Sequence, residues 1–192
     1  MHRGLLTAVA AGVGLSLMLM TGPVRADVTV IGGGFAEECS NQAKAASRTG
    51  RPFSEAVREC TLAIDEEVLS AHDLAATYVN RGVLHLVLTN WSDAQRDFEA
   101  AVAVDPGLAE AWVNHGASLI AQGREADGIA DIDKGLALTT TEPEKAYFNR
   151  AVAEERLNDL KSAYLDYQKA LALKPDWAMP QAELTRFHVV SR

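Results

Sequence analysis

Residues 78–82 read Tyr-Val-Asn-Arg-Gly. The segment returns as Trp-Val-Asn-His-Gly at residues 112–116, which is 34 residues later, and as Tyr-Phe-Asn-Arg-Ala at residues 147–151, another 35 residues on. Three copies at nearly constant spacing indicate a repeat protein in which every copy forms the same structural unit. The one extra residue falls among the threonines of residues 139–141, where a loop between helices absorbs it.

Each copy predicts a pair of packed helices. A large aromatic residue stands four positions before a small one, so that both lie on one face of a helix. The small residue lets a second helix approach closely, and that helix carries a small–large–small stripe at i, i+4 and i+7. A proline after two of the second helices ends them, because the residue before a proline disfavours the α region. The residues of this packing pattern are Tyr78, Gly82, Ala94, Phe98, Ala101 and Pro106, then Trp112, Gly116, Gly128 and Ile132, then Tyr147, Ala151, Ala163, Tyr167, Ala170 and Pro175.

A helix-turn-helix unit of 34 residues with these residue types at these offsets resembles the tetratricopeptide repeat family. The resemblance covers residues 75–108, 109–142 and 144–177, and a more divergent unit at residues 37–72 precedes them. It implies an all-α solenoid of about three and a half to four stacked helix pairs, wound as a right-handed superhelix. We expect residues 178–192 to form a capping helix with a polar outer face.

The first 26 residues have the layout of a secretory signal peptide. A positive start with Arg3 is followed by an apolar run over residues 5–20, and small Val24 and Ala26 stand where a signal peptidase reads the chain. We therefore expect cleavage of residues 1–26, a flexible mature start at residues 27–36, and a periplasmic or secreted protein. A retained membrane anchor is the alternative, although the apolar run is short for a bilayer span of about 20 residues.

The chain has two cysteines, Cys39 and Cys60. In an oxidising compartment an isolated pair favours a disulfide, whereas a metal site needs further ligands that no pattern supplies here. Both cysteines fall at repeat positions that point between paired helices, so that a disulfide would hold the divergent first unit together. Two buried free thiols are the alternative.

The charge balance and the absence of catalytic patterns restrict the function classes. The chain has 18 basic and 26 acidic residues and a formal net charge of −8. An acidic chain without clustered Lys and Arg is a poor binder of nucleic acid or of an anionic membrane surface. The sequence shows no nucleophile motif and no metal-ligand spacing. We expect a protein that is not an enzyme and that binds no cofactor and no metal.

The family resemblance implies a concave groove in which another protein or peptide binds, and we expect an envelope protein as the partner. A structural module that assembles with copies of itself is the alternative. The groove would be lined by the first helices of the repeats. The predicted lining residues are Val79, Asn80, Val83 and Leu86, then Val113, Asn114, Ala117 and Ile120, then Lys145, Phe148, Asn149 and Val152.

Three asparagines recur at one position of the repeat, and an amide offers both a donor and an acceptor to a partner's backbone. We expect Asn80, Asn114 and Asn149 to hold an extended segment; bridging of neighbouring first helices is the alternative. Family members that clamp a C-terminal carboxylate use Lys and Arg beside Asn. This chain has only Lys145 nearby, which argues against a clamp of that kind.

Signal processing gives the first testable prediction. If residues 1–26 are removed, the mature chain begins at Asp27. An intact-mass measurement on protein recovered from the cell envelope should give the mass of residues 27–192. A mass that still includes residues 1–26 would contradict the prediction.

Overall fold

The computed structural model describes residues 5–8, 34–51 and 55–190, with side chains described over 34–51 and 55–187. In these ranges the chain forms nine α-helices and two short β-strands. None of these helices combines the length and the apolar character that crossing a membrane requires. The helices are α1 (Phe35–Thr49), α2 (Ala56–Glu66), α3 (Ala71–Val87), α4 (Trp91–Val104), α5 (Ala109–Ala121), α6 (Glu125–Ala137), α7 (Pro143–Arg156), α8 (Leu160–Leu173) and α9 (Ala178–Leu184); the strands are β1 (Leu5–Ala8) and β2 (Phe187–Val190).

Consecutive helices form four packed pairs: α1 with α2, α3 with α4, α5 with α6, and α7 with α8. Each second helix also packs on the first helix of the next pair, which stacks the pairs in chain order. The first helices of successive pairs contact one another directly, so that α1, α3, α5 and α7 lie side by side along the inner face of the stack. This architecture confirms the predicted all-α solenoid of helix pairs.

Small residues set the distance between paired helices. A Cβ atom added to Gly82 would lie 2.5 Å from the Phe98 ring, and one added to Gly116 would lie 2.6 Å from the backbone oxygen of Gly128. Both distances are shorter than real Cβ contacts, so that the helices can approach this closely only because the side chain is absent. The stripes of the second helices, namely Ala94, Phe98, Ala101, Ile132, Ala163, Tyr167 and Ala170, are at most 1% exposed.

The repeated aromatic residues Tyr78, Trp112 and Tyr147 are half-buried, with a cation over each ring. The Lys134 ammonium lies 3.6 Å from the ring centre of Trp112, and arginines lie 5.5 Å and 5.3 Å from the rings of Tyr78 and Tyr147. Pro106 and Pro175 are exposed in the turns that follow α4 and α8.

The turn inside each of the last three pairs has one geometry. A single residue there has a positive φ, which is 62° at Thr89, 81° at Gly123 and 63° at Asn158. The amide of the following residue donates back to the first helix, as from Asn90 to the His85 carbonyl at 2.8 Å. Gly and Asn adopt this conformation readily, whereas a β-branched Thr does so at a cost.

The divergent first unit is joined by a disulfide between Cys39 of α1 and Cys60 of α2, with an S–S distance of 2.10 Å. Both sulfurs are fully buried and pack against Leu84 of the next unit. In the chain-entropy model, a crosslink across 21 residues stabilises the fold by about 3 kcal/mol.

Glu67 connects the end of α2 to the start of α1. Its carboxylate accepts hydrogen bonds from the backbone amides of Phe35, at 2.6 Å, and Ala36, at 3.2 Å. These amides have no partner inside their own helix, and a carboxylate suits the positive end of the helix dipole. Helix α1 therefore starts inside the predicted flexible segment 27–36. Residues 27–33 of that segment, like residues 1–4 and 9–26 of the predicted signal peptide, lie outside the described residues.

The predicted capping helix over residues 178–192 is wrong beyond Leu184. Helix α9 ends there, and residues 187–190 form strand β2, which pairs antiparallel with β1. Consecutive β-branched valines at 189 and 190 favour a strand over a helix. Phe187 caps the stack by packing its ring 5.6 Å from Tyr164 and 6.0 Å from Tyr167.

Candidate functional site

The structure buries nine of the twelve residues that the sequence places in an open groove. Leu86, Asn149 and Val152 are half-buried. Val79, Asn80, Val83 and Ile120 are at most 1% exposed because α3 and α5 lie in the middle of the row of first helices. The other buried members are Val113, Asn114, Ala117, Lys145 and Phe148.

The three asparagines therefore differ in what they can reach. Asn80 is 0% exposed, and neither its amide nitrogen nor its amide oxygen has a hydrogen-bond partner among the described residues. Asn114 is 3% exposed, while Asn149 is half-buried. The prediction of three amides open along one line is wrong for the first two. A repeat position fixes the height of a side chain on its helix but not how closely the neighbouring helices cover it.

Glu110 and Lys145, which lie near the N-terminal ends of α5 and α7, are each paired within the chain. The Lys145 ammonium lies 2.9 Å from a Glu142 carboxylate oxygen, and its side chain is 9% exposed. Burial lowers the pKa of Lys145, against the hydrogen bond to Glu142. One carboxylate oxygen of Glu110 accepts hydrogen bonds from the Thr141 amide at 2.8 Å and the Thr141 hydroxyl at 2.9 Å. Neither charge is available to a partner in this arrangement.

A ladder of basic residues and aspartates, which the sequence analysis missed, runs through the last three units. One Arg or His on the first helix of each unit bonds an aspartate on the second helix, 16 residues later. In the sequence, the ladder is visible as a spacing of 34 and 35 residues between successive rungs. The two partners of each rung lie on different helices, so that the pattern within one helix does not reveal the pair. The rungs are Arg81 with Asp97, His115 with Asp131, and Arg150 with Asp166.

Both arginine rungs are bidentate. Arg81 donates to the two Asp97 oxygens at 3.0 and 2.7 Å, and Arg150 donates to those of Asp166 at 2.6 and 2.9 Å. The hydrogen bond to Asp166 is the largest influence on Arg150, and it raises the pKa of that guanidinium against the effect of burial. Planar fork-to-fork pairing of this kind fixes the orientation of one helix against the other.

Each arginine also reaches the second helix of the preceding unit. Arg81 Nη1 donates to the Thr61 hydroxyl at 3.1 Å, and Arg150 Nη1 donates to Asp133 at 2.5 Å. One guanidinium therefore holds three helices together, two of its own unit and one of the unit before. Because the contact recurs, the ladder stacks the units as well as closing each pair.

Two further polar residues, both half-buried, lie one helical turn after the arginines. Glu154 follows Arg150, its side chain is 14% exposed, and its Oε2 has no hydrogen-bond partner among the described residues. Burial, followed by the charge of Asp166, raises the pKa of Glu154 to about 7. His85 follows Arg81, and burial lowers its pKa, against the charge of Asp97.

The described residues contain no group of three or more His, Cys, Asp or Glu side chains placed to hold a metal ion. The polar side chains of the ladder are bonded to one another, and the inner face is built from aliphatic and aromatic side chains with amides among them.

Comparison with known proteins agrees with this architecture. The sequence model of the family described as tetratricopeptide repeat matches residues 144–176. A curated relative, the DnaJ homolog subfamily C member 7 homolog of Dictyostelium discoideum, is 27% identical over 99 residues. That match covers 52% of this chain and 18% of the relative, so that the chain corresponds to less than a fifth of that protein.

Solved structures show the same fold at low identity. The Arabidopsis OM64 tetratricopeptide-repeat domain is 20% identical, with a TM-score of 0.57, over 61% of this chain and 96% of that one. A crystal structure of MamA is 18% identical, with a TM-score of 0.58, over 78% and 79% of the two chains. The first such domain of Spaghetti (RPAP3), bound to the HSP90 peptide SRMEEVD, is 22% identical, with a TM-score of 0.55, over 58% and 88%. The chain thus contains a tetratricopeptide repeat and has the fold of a tetratricopeptide-repeat solenoid.

Glu154 gives a testable prediction on pH. Because its pKa rises to about 7 in the folded state, the protonated carboxyl stabilises the fold below about pH 4.5, and this contribution is lost as the pH rises through about 7. Glu154→Gln is neutral at every pH. We expect the variant to exceed the wild type by about 1–2 kcal/mol in free energy of unfolding at pH 8 and to match it near pH 4.5.

Chemical denaturation at the two pH values measures this difference, with Glu66→Gln, an exposed acid at the end of α2, as the control. A difference between Glu154→Gln and the wild type that is the same at both pH values would show that ionised Glu154 costs the fold nothing.

Proposed function

We propose that this protein is a non-catalytic adaptor or scaffold of the cell envelope that holds a segment of another protein on the inner face of its solenoid. One observation carries the proposal: among the described residues the inner face is lined mainly by apolar side chains, and Glu110 and Lys145 on it are paired within the chain. A mainly apolar face suits an uncharged segment of a partner.

The half-buried residues define where a partner makes contact. Asn149 and Val152 lie one turn apart on α7 and face the same side of that helix. The Asn149 amide offers a donor and an acceptor to a backbone, and Val152 offers apolar area beside it. The contact surface therefore centres on α7 rather than on the full line of three amides.

The domain of Spaghetti (RPAP3) is bound to a peptide that ends in Glu-Glu-Val-Asp. Recognition of such an acidic end needs cations that are free to pair with carboxylates. In this chain Lys145, the cation on the inner face, is buried against Glu142. The proposed partner is accordingly an uncharged, extended or amphipathic segment, and the expected place of encounter is the periplasm or the exterior of the cell.

The proposal predicts which substitutions remove a partner. Mature protein on beads captures proteins from an envelope extract, and mass spectrometry quantifies them. The captured amount of a specific partner should fall at least about tenfold in the double variant Asn149→Ala with Val152→Ser, because a few hot-spot contacts dominate binding. Gln168→Ala, an exposed amide on α8, is the matched control and should capture as the wild type does.

Asn114→Ala separates binding from stability. Asn114 is buried, so that its loss should lower the free energy of unfolding by about 1–3 kcal/mol, while Asn149→Ala should change that free energy by no more than about 0.5 kcal/mol.

The peptide SRMEEVD should show no binding to this protein by fluorescence anisotropy up to about 1 mM. Equal capture by all variants, or a stable dimer in light scattering with no captured partner, would contradict the adaptor function.

A further inference from the structure

The middle rung of the ladder differs from its neighbours. The position that is Arg81 in one unit and Arg150 in another is His115 in the unit between them. Its imidazole Nδ1 lies 2.7 Å from Asp131 Oδ2, so that the bond within the unit is made as in the arginine rungs. The link to the preceding unit is not made, because Nε2 remains 3.9 Å from Glu99 Oε1 and has no hydrogen-bond partner among the described residues.

The number of donors explains the difference. A carboxylate only accepts hydrogen bonds, so that Nδ1 must carry the hydrogen that bonds Asp131. In the neutral ring Nε2 then presents a lone pair toward the Glu99 carboxylate, and no proton lies between them. A guanidinium always has donors for both sides, whereas imidazole has a second donor only when it is protonated.

We propose that His115 is a proton-dependent link between the second and third units of the solenoid. In the protonated ring Nε2–H donates to Glu99, and His115 then joins α4, α5 and α6 as Arg81 and Arg150 join their three helices. Loss of the proton breaks the link to α4 and leaves the bond to Asp131. Glu99 Oε1 accepts a hydrogen bond from Gln95 Nε2 at 2.7 Å and has a second lone pair for the His115 ring. The Glu99 side chain is 52% exposed, so that a small rotation can close the remaining distance of about 1 Å.

The carboxylates of Asp131 and Glu99 are the charged groups nearest to the His115 ring among the described residues. Among the described residues, Asp131 on α6 and Glu99 on α4 are the ionised groups within 4 Å of it. Helices α3 and α7 also pack beside α5, but their cations at this level, Arg81 and Arg150, are bonded to Asp97, Asp133 and Asp166. Glu110 on α5 itself is bonded to Thr141.

Hydrogen exchange on the full chain tests the link. Protonated His115 should protect the amides of α4 and α5 about fivefold more at pH 5.5 than at pH 8, after correction for intrinsic exchange, because one charge-assisted hydrogen bond is added. Glu99→Gln removes the accepting charge and should abolish most of this change. His115→Arg, which restores the residue of the flanking rungs, should give high protection at both pH values.

His85 and Glu154 also titrate, but they are the same in every variant, so that differences between variants cancel their effects. Comparable protection of wild type and Glu99→Gln at both pH values would overturn the proposal, as would a pH response in His115→Arg equal to that of the wild type. If His115→Arg does not fold, His115→Gln replaces it: this ring-free neutral side chain should show low protection at both pH values, and a wild-type pH response in it would equally refute the link.

Discussion

The stack depends on one recurring contact, in which an arginine side chain is bonded to residues of two other helices. Arg150 is bonded to Asp166 of its own unit and to Asp133 of the unit before, and it is only 22% exposed. Removal of Asp166 would leave this poorly hydrated charge with Asp133 alone, which costs more than an exposed ion pair contributes. The apolar stripes draw the helices together without direction, whereas the ladder specifies the angle and register at which they meet.

The ladder and the small residues lie between the helices of the stack, and the inner face is lined mainly by aliphatic side chains. Gly82 and Gly116 let the paired helices approach closely, and the first helices of successive pairs also contact one another, so that α3 and α5 each have a first helix on both sides. Asn80 and Asn114 are buried because they lie on these middle helices, whereas Asn149 lies on α7, at the end of the row, and is half-buried. In the proposed function, the contact surface for a partner therefore centres on α7, and Asn149 is its one amide.

The helix pairs could be predicted from the sequence because their signal is local. Tyr78 and Gly82 share one helix face, and the pattern returns at a fixed spacing. Three features depended on contacts between distant segments and could not be predicted in this way. Burial of Asn80 depends on how closely α1 and α5 approach α3, and Glu67 caps a helix that starts 32 residues before it in the chain. The ladder was visible only as a spacing shared by two helices, and no single-helix periodicity contains it.

The most direct test of this account is a double-mutant cycle on Arg150 and Asp166, with Arg150→Met and Asp166→Leu measured singly and together by chemical denaturation. Arg150→Met leaves the buried Asp166 carboxylate without its partner, and Asp166→Leu leaves Arg150 with Asp133 alone. Each single variant should cost about 3 kcal/mol or more, whereas the double variant should cost much less than the sum. A coupling energy of at least about 2 kcal/mol is the predicted result. Costs that add to within about 0.5 kcal/mol would show that this rung does not hold α7 and α8 together.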